Sequence, residues 1–547
     1  MKNIQKSIPS ILRWLWVIAR GNRLQMFLNV IVGLLQVTAS LFSVYAMRYA
    51  IDVASHAIEG SMVVAIAFIG SLILFEFALT ISGIWIRNIL GIRAQNRMQQ
   101  VMMERVLRSE WQSGKRFHSG DILNRLEGDV TAVVNFLTET LPSALSTLVL
   151  FLGAFFYLFS MDRLLALITI AIIPLCMVLS KFYVRKMRRL NRNVRDSDSR
   201  IQSAMQDTIQ NGILIKTLEC TDNMVARLVS LHGELRRNVV KRTVFSVLSN
   251  LTLNLGFAMS YLLTFAWGAL RMSGGTLTFG GMTAFLQLVH KIQNPAKSLA
   301  HLLPQSVAVF TAAERLMELE DIPEEENGEN RFMPEPCGIY INNVSFRYDD
   351  AQQEVFSHFS CTFPAGTSTA ITGETGAGKT TLIRLLLALL HPTEGRITIG
   401  GGSPEEQEEV THLHRCNFVY VPQGNTLMTG TIRDNLLLGK PEATTEEMKE
   451  ALRQCCAEFV FDLPNGLDTP CSERGGGLSE GQAQRISIAR ALLRNRPVML
   501  FDEATSALDT ETERQLLTNI FSTRKKTVIF ITHRLTVCDY CDKVLKL

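Results

Sequence analysis

The sequence predicts an all-α membrane domain of six spans followed by an α/β domain built round a glycine-rich loop. Three observations carry this. The chain of 547 residues is 47% hydrophobic but only 19% charged, against about 25% charged in soluble globular proteins. Its mean hydropathy is positive, +0.15. Six apolar stretches fill the first three hundred residues, and a strand, a glycine loop and a helix open the remainder. This composition excludes a disordered or collagenous chain. A net charge of +4 over this length excludes a strongly nucleic-acid-binding one, and no nucleic-acid partner is expected.

The N-terminal segment, residues 1–23, has Lys2 and Lys6 ahead of an apolar run from Ile8 to Ala19, then Arg20 and Arg23. No small-residue cleavage site follows. With Trp14 and Trp16 among basic residues, it reads as an elbow helix lying along the membrane surface. The six stretches then run over about 25–48, 62–86, 137–160, 164–184, 245–270 and 279–303, each near the 20 or so residues that cross a hydrocarbon core. The membrane domain is placed at 24–320. Its long connections are basic, with Arg87, Arg93, Arg97, Arg105, Arg108, Lys115, Arg116 and Arg125 in one and a run from Arg185 to Arg200 in the other. The short turns near 52–61, 161–163 and 271–278 hold few basic residues, so both chain ends are expected in the cytoplasm.

The long connections keep a helical apolar period, with Met98, Val101, Met102, Val106 and Leu107 ahead of Trp111. Breaks at Ser113–Gly120 and Gln210–Gly212 mark the tips of two hairpins reaching below the bilayer. Residues 321–336 are acidic and proline-bearing without an apolar period, which reads as a linker to a second domain at 337–547. Ten cysteines are too sparse for a disulfide scaffold. Nine of them, all but Cys176, lie in segments that read as polar. Cys538 and Cys541 lack the further ligands a zinc site needs.

The second domain carries the chemistry. A buried strand over 367–372 precedes Gly373-Glu374-Thr375-Gly376-Ala377-Gly378-Lys379-Thr380, and an apolar-periodic helix follows through Leu382, Ile383, Leu385 and Leu386. Such a loop turns successive backbone N–H groups onto phosphate oxygens at a helix N-terminus; Lys379 reaches the outer phosphates and Thr380 offers a hydroxyl to Mg²⁺. The run Val498-Met499-Leu500-Phe501 is an apolar strand ending in Asp502 and Glu503. In phosphate chemistry one carboxylate serves the metal, here Asp502, and another, Glu503, polarises the attacking water as general base.

Between these lie Leu478-Ser479-Glu480-Gly481-Gln482 and a helix bearing Arg485 and Arg490. With these motifs in this order, the chain resembles the ATP-binding cassette (ABC) transporters over nearly its whole length. Six spans ahead of one P-loop NTPase domain resemble an exporter half-transporter of the multidrug or lipid type. The resemblance implies that Tyr348 stacks on adenine and that Gln423 senses Mg²⁺ and touches the membrane domain. It implies that Ser506-Ala507-Leu508-Asp509 crosses a dimer interface and that His533 holds the γ-phosphate. Gly373, Thr375, Gly376, Ala377, Gly378, Lys379, Thr380 and Thr381 of one chain, with Ser479, Gly481, Gln482 and Asp509 of another, would enclose each ATP. Thr380, Gln423 and Asp502 would hold Mg²⁺, and Glu503, His533 and Gln423 would serve catalysis.

The expected partners are membrane lipid, a second half-transporter chain (a homodimer before a heterodimer) and a hydrophobic or amphiphilic small-molecule, lipid or peptide substrate. The expected location is the inner membrane. The alternatives are one subunit of a heterodimeric exporter, or a membrane-anchored regulatory ABC ATPase. Glu480 departs from the family pattern, where glycine is commonest, and Leu547 follows soon after a strand where relatives usually continue. Within the spans, Glu76 is expected to face the bundle interior. His290 and Lys291 either line an inner cavity or meet solvent at the cytoplasmic mouth.

Overall fold

The computed structural model describes residues 7–21, 23–114, 117, 119–348, 353–374, 376–471, 477–521 and 526–547. The chain divides into two compact units. One comprises Met1–Glu104 and Ser119–Asp321; the other comprises Arg105–His118 and Ile322–Leu547.

Every apolar stretch lies in a helix. After α1 (Ile8–Ile18) come α2 (Arg23–Ala54), α3 (Met62–Arg108) and α4 (Trp111–Gly114). Next, α5 (Ser119–Asn124), α6 (Val130–Asn135) and α7 (Leu141–Met161) form one rod over Ser119–Met161. The rest are α8 (Arg163–Gln210), α9 (Gly212–Thr217), α10 (Thr221–Ser273) and α11 (Phe279–Glu320). Among the described residues α2, α3 and the Ser119–Met161 rod are long and apolar enough to cross a membrane. The 53 residues of α10 extend about 80 Å at about 1.5 Å each, far beyond the roughly 30 Å of a hydrocarbon core.

Short polar clasps set the turns between helices. Asp162 caps α8 by accepting from Leu165 N at 3.0 Å, and takes Trp267 Nε1 at 3.1 Å and Arg271 Nη2 at 3.2 Å from α10. Asp52 does the same for α11, accepting from Gly280 N at 3.0 Å. In α1, Trp14 is buried and donates to Glu320 at 2.6 Å, while Trp16 stays 60% exposed under the Arg23 guanidinium.

Near the far ends of α5 and α11 a charge cluster replaces apolar packing. Arg125, almost fully buried, donates to Asp121 and to Glu318, each at 2.8 Å, and to the Arg315 carbonyl. Arg315 pairs with Asp121 at 2.9 Å and Asp129 at 3.3 Å. Hydrogen bonds to charged groups contribute about 1.5–3 kcal/mol each. Arg125→Ala is therefore expected to lower the apparent Tm in detergent, whereas Arg192→Ala, whose exposed pair spans 4.0 Å, leaves it unchanged.

In the second unit an antiparallel sheet runs in the order β2 (Phe356–Phe363), β1 (Gly338–Phe346), β4 (Glu394–Gly400), β5 (Gln407–Glu409). A five-stranded sheet runs in the order β11 (Lys543–Lys546), β3 (Ser368–Thr372), β10 (Thr527–Ile531), β9 (Val498–Asp502), β6 (Phe418–Val421), and all its pairings are parallel. A small ribbon pairs β7 (Gly430–Thr431) with β8 (Pro470–Cys471). The helices are α12 (Lys379–Leu386), α13 (Ile432–Leu437), α14 (Thr445–Gln454), α15 (Phe459–Asp462), α16 (Glu480–Arg494), α17 (Thr510–Phe521) and α18 (Leu535–Cys538). The middle strands β9 and β10 are buried throughout and apolar but for Asp502 and Thr527, as parallel strands covered on both faces must be. Phe501 and Phe530 stack across them at 4.4 Å.

The segment that reads as a linker is tightly held. Glu325 N donates to Arg108 O and Glu110 N to Pro323 O, both at 2.9 Å, and Arg105 pairs with Glu324. Arg415 forks onto both Glu325 oxygens at 2.7 and 2.8 Å. The reading of nine cysteines as lying in polar segments needs correction residue by residue: Cys337, Cys361, Cys416, Cys455 and Cys471 are buried. Strand alternation and helix faces bury single positions inside stretches that are polar on average. Cys541 is a free thiol pushed up to about 12, mainly by burial.

Candidate functional site: a phosphate loop at the edge of the parallel sheet

The parallel sheet puts the ends of its strands on one edge, and that edge collects the reactive side chains. The glycine loop leaves β3, Glu503 follows β9, Thr532 and His533 follow β10, and Gln423 lies just beyond β6. Ligands in open α/β sheets bind outside these carboxyl ends. Backbone bonds tie neighbouring strand ends together, from Glu503 N to Ile531 O at 2.9 Å and from Thr532 N to Ile371 O at 3.1 Å.

The loop geometry depends on glycine where the chain turns left-handed. Gly376 has φ +94° and Gly378 φ +93°. A Cβ on Gly378 would also lie 2.8 Å from Val355 Cγ1 and 2.9 Å from Phe356 Cζ. Gly378 is the N-cap of α12, so the N–H groups of Lys379, Thr380 and Thr381 head a helix whose dipole favours an anion. Thr380 is exposed, free to meet a ligand. Thr375 lies outside the described residues.

Four side chains join in one polar chain. Lys379 Nζ donates to Gly373 O at 2.7 Å and lies 2.7 Å from His533 Nε2. His533 Nε2 is 3.3 Å from Glu503 Oε1, and Gln423 Nε2 donates to Glu503 Oε2 at 2.7 Å. Glu503 itself has φ +50°, a conformation that a residue with a side chain holds only when its surroundings impose it. Asp502 is 4% exposed. Burial first, and then the adjacent Glu503 charge, push its carboxyl above the ordinary value; the Tyr420 hydroxyl at 3.4 Å opposes this. A buried carboxylate is suited to a cation, and its oxygens with those of Thr380 and Gln423 are the donor chemistry that Mg²⁺ takes.

Tyr348 stands edge-on to Phe346 at 5.0 Å. Its phenol oxygen is 3.1 Å from Thr381 Oγ1 and accepts from Arg384 Nη1 at 3.3 Å. Arg384 also lies over the Trp111 ring at 4.9 Å. Trp111 thus connects α4, on the connection between two membrane helices, to the tyrosine expected at the adenine. Trp111→Ala is expected to remove substrate stimulation of ATP turnover while leaving basal turnover within about twofold, since its half-buried cation–π contact with Arg384 contributes about 1 kcal/mol. Parallel assays with and without a transported amphiphile would check it.

The Ser479 segment stands apart from this cluster. Ser479 caps α16, its hydroxyl accepting from Gln482 N at 3.2 Å while Gln482 Oε1 accepts from Ser479 N at 2.9 Å. Among the described residues none of Ser479, Gly481 and Gln482 hydrogen-bonds to the glycine loop. Gly481 lies so close to the next loop that a Cβ would sit 2.8 Å from Ala507 O. Glu480 is exposed in the first turn of α16, where a carboxylate favours the helix dipole. Asp509 caps α17 through Thr512 N at 3.0 Å, and this bond holds its carboxyl below the usual range.

Sequence reasoning missed the residues that hold these loops. Gln484, 1% exposed, donates to Ser506 Oγ and accepts from Ala507 N, both at 3.2 Å. Arg534 donates to Ser506 O at 2.7 Å, to Leu508 O at 2.9 Å and to the buried Glu513 at 3.1 Å. The residue after His533 therefore fixes the loop before Asp509. A buried polar residue inside an apolar helix face, as at Gln484, was the one available signal.

Comparison with known proteins identifies the family. Residues 24–295 match the ABC transporter transmembrane region and residues 356–506 the ABC transporter family model. The chain belongs to the ABC transporter family, with ATP hydrolysis coupled to transport. It is 30% identical to an ATP-dependent lipid A-core flippase of Bordetella avium, over 85% of this chain and 78% of that protein. It is 26% identical to the uncharacterized ABC transporter ATP-binding protein YfiC of Bacillus subtilis, over 99% of this chain and 90% of the other. Its fold is that of an ABC exporter: a bacterial Atm1-family exporter solved with ATP bound superposes with a TM-score of 0.78 at 25% identity, over 97% of this chain and 94% of that one.

Proposed function

We propose that the chain is one half of a homodimeric exporter that moves a lipid or other amphiphile outward across the inner membrane, each MgATP lying between the glycine loop of one copy and the Ser479 segment of the other. The observation that carries this is the division of the site. Lys379, Gln423, Glu503 and His533 meet at one sheet edge, whereas Ser479, Gly481 and Asp509 are held together elsewhere. A second copy supplies what one copy keeps apart. Thr380, Gln423 and Asp502 hold Mg²⁺ in this reading, Glu503 polarises the attacking water, and His533 and Lys379 bind the γ-phosphate.

Two surfaces support the assembly. The short helix α9 exposes Ile213 at 86% and Leu214 at 55%, with Leu218 beyond it at 60%, an apolar tip that a partner would cover. A groove of about 340 Å³, lined among others by Leu387, Tyr420, Leu438 and Arg490, is apolar enough to receive such a tip from another copy. ATP binding would draw the two copies together, and the tips would pass that motion to the membrane helices.

The test is ATP turnover of the purified chain in lipid vesicles, with oligomeric state and ATP-dependent lipid movement measured on the same sample. Turnover confined to the dimer and accompanied by movement is expected. A monomer that turns over ATP, or a turning-over dimer that moves no lipid or amphiphile, would overturn the proposal.

A further inference from the structure

The helical unit contains a polar cluster in mid-membrane that the nucleotide chemistry does not use. Gln36 and Ser40 are one turn apart on α2, and Glu76 and Thr80 are one turn apart on α3. Gln36 Nε2 donates to Thr80 Oγ1 at 2.9 Å, and Thr80 donates to the Glu76 carbonyl at 2.8 Å. This pairing fixes the register of two antiparallel helices and sets Glu76 level with Ser40. From α11, Lys291 Nζ donates to Ser40 Oγ, which brings its ammonium to the level of Glu76.

Ser40 and Glu76 each lie about 21 Å along their helices from the short turn joining α2 to α3, and Lys291 about 18 Å from the start of α11. All three therefore lie near the middle of a hydrocarbon core. Ionisable groups are rare at that depth, and their presence there points to a function.

The hydrogen-bond inventory defines what is missing. An ammonium has three donors and a carboxylate only acceptors. Glu76 Oε1 is buried and has no hydrogen-bond partner among the described residues. Among the described residues Lys291 gives one donor, to Ser40, and the ammonium has others for an anion. The cluster thus lacks an N–H donor at Glu76 and offers an N–H donor at Lys291.

Building on the exporter reading above, we infer that Glu76 and Lys291 form the recognition site for a zwitterionic headgroup, with a primary ammonium on Glu76 and a phosphodiester on Lys291. A quaternary ammonium carries the same charge but no N–H, so it cannot satisfy Glu76 Oε1. A headgroup with an anion alone leaves Glu76 unmet and unfavourably close.

The experiment uses the full chain in phosphatidylglycerol vesicles. ATP turnover is titrated with phosphatidylethanolamine and, separately, with phosphatidylcholine of the same acyl chains. The ethanolamine lipid is expected to stimulate with a half-maximal concentration about tenfold lower, the effect of one charge-assisted hydrogen bond. Glu76→Gln should bring the two lipids level. Lys291→Met should weaken both. Equal half-maximal concentrations in the wild type, no stimulation by the ethanolamine lipid, or a preference that survives Glu76→Gln would each overturn the site. The wild-type comparison decides the matter even if neither variant folds. ATP-dependent lipid movement is followed in the same vesicles: its absence, with the amine preference intact, refutes export and leaves the headgroup site standing.

Discussion

Glu503→Gln is expected to lower ATP turnover by about 10²–10⁴-fold, the range for losing a positioned general base, while ATP binding stays near wild type. The carboxylate receives Gln423 Nε2 on one oxygen and faces His533 Nε2 on the other. Glutamine keeps the volume, the backbone at φ +50° and a hydrogen-bonding end. It removes only the charge that draws a proton from water. Nucleotide binding and phosphate release measured on one preparation would check this. Turnover within tenfold of wild type would remove Glu503 from the base role and move attention to His533.

Gly378→Ala is expected to abolish measurable ATP binding at millimolar nucleotide. Two costs combine: a left-handed backbone unfavourable by roughly 1–2 kcal/mol for any L residue, and a methyl group under 3 Å from Val355 and Phe356. Relieving that contact means shifting the loop or the strand beside it, and the N–H groups heading α12 then lose their aim. Gly376→Ala provides the internal comparison, because its φ of +94° carries a similar backbone cost but its Cβ meets nothing within 4 Å among the described residues. Gly376→Ala should bind ATP more weakly than wild type and more tightly than Gly378→Ala. Nucleotide titration alongside circular dichroism would establish the order; the reverse order would show that side-chain space at Gly378 is irrelevant.

The division into a helical and an α/β part was legible because both rest on local signals. A run of about 20 apolar residues is a membrane helix whatever surrounds it. A glycine loop between strand and helix likewise carries its phosphate-binding geometry in its own backbone. Lys379 and Glu503 could be named for the same reason, each following a strand in a recognisable local pattern, whereas His533 was named only through the family resemblance. Side-chain contacts between distant segments were not legible. The fork of Arg415 onto Glu325, the hold of Gln484 and Arg534 on the Ser506 loop, and the line from Trp111 through Arg384 to Tyr348 join residues from 22 to over 200 positions apart.

Lys291 shows the limit most clearly. By sequence it stood beside His290, and both were read alike, as lining a cavity or meeting solvent. In the fold His290 is exposed on α11 beside Asn294, while Lys291 turns onto Ser40, level with Glu76. One position of helical rotation, about 100°, separates the two outcomes. The helices, the order of the domains and the phosphate loop follow from near neighbours and apolar length, and so are written along the chain. Which polar side chains meet depends on helix rotation and strand order, which bring together residues with no pattern linking them along the chain.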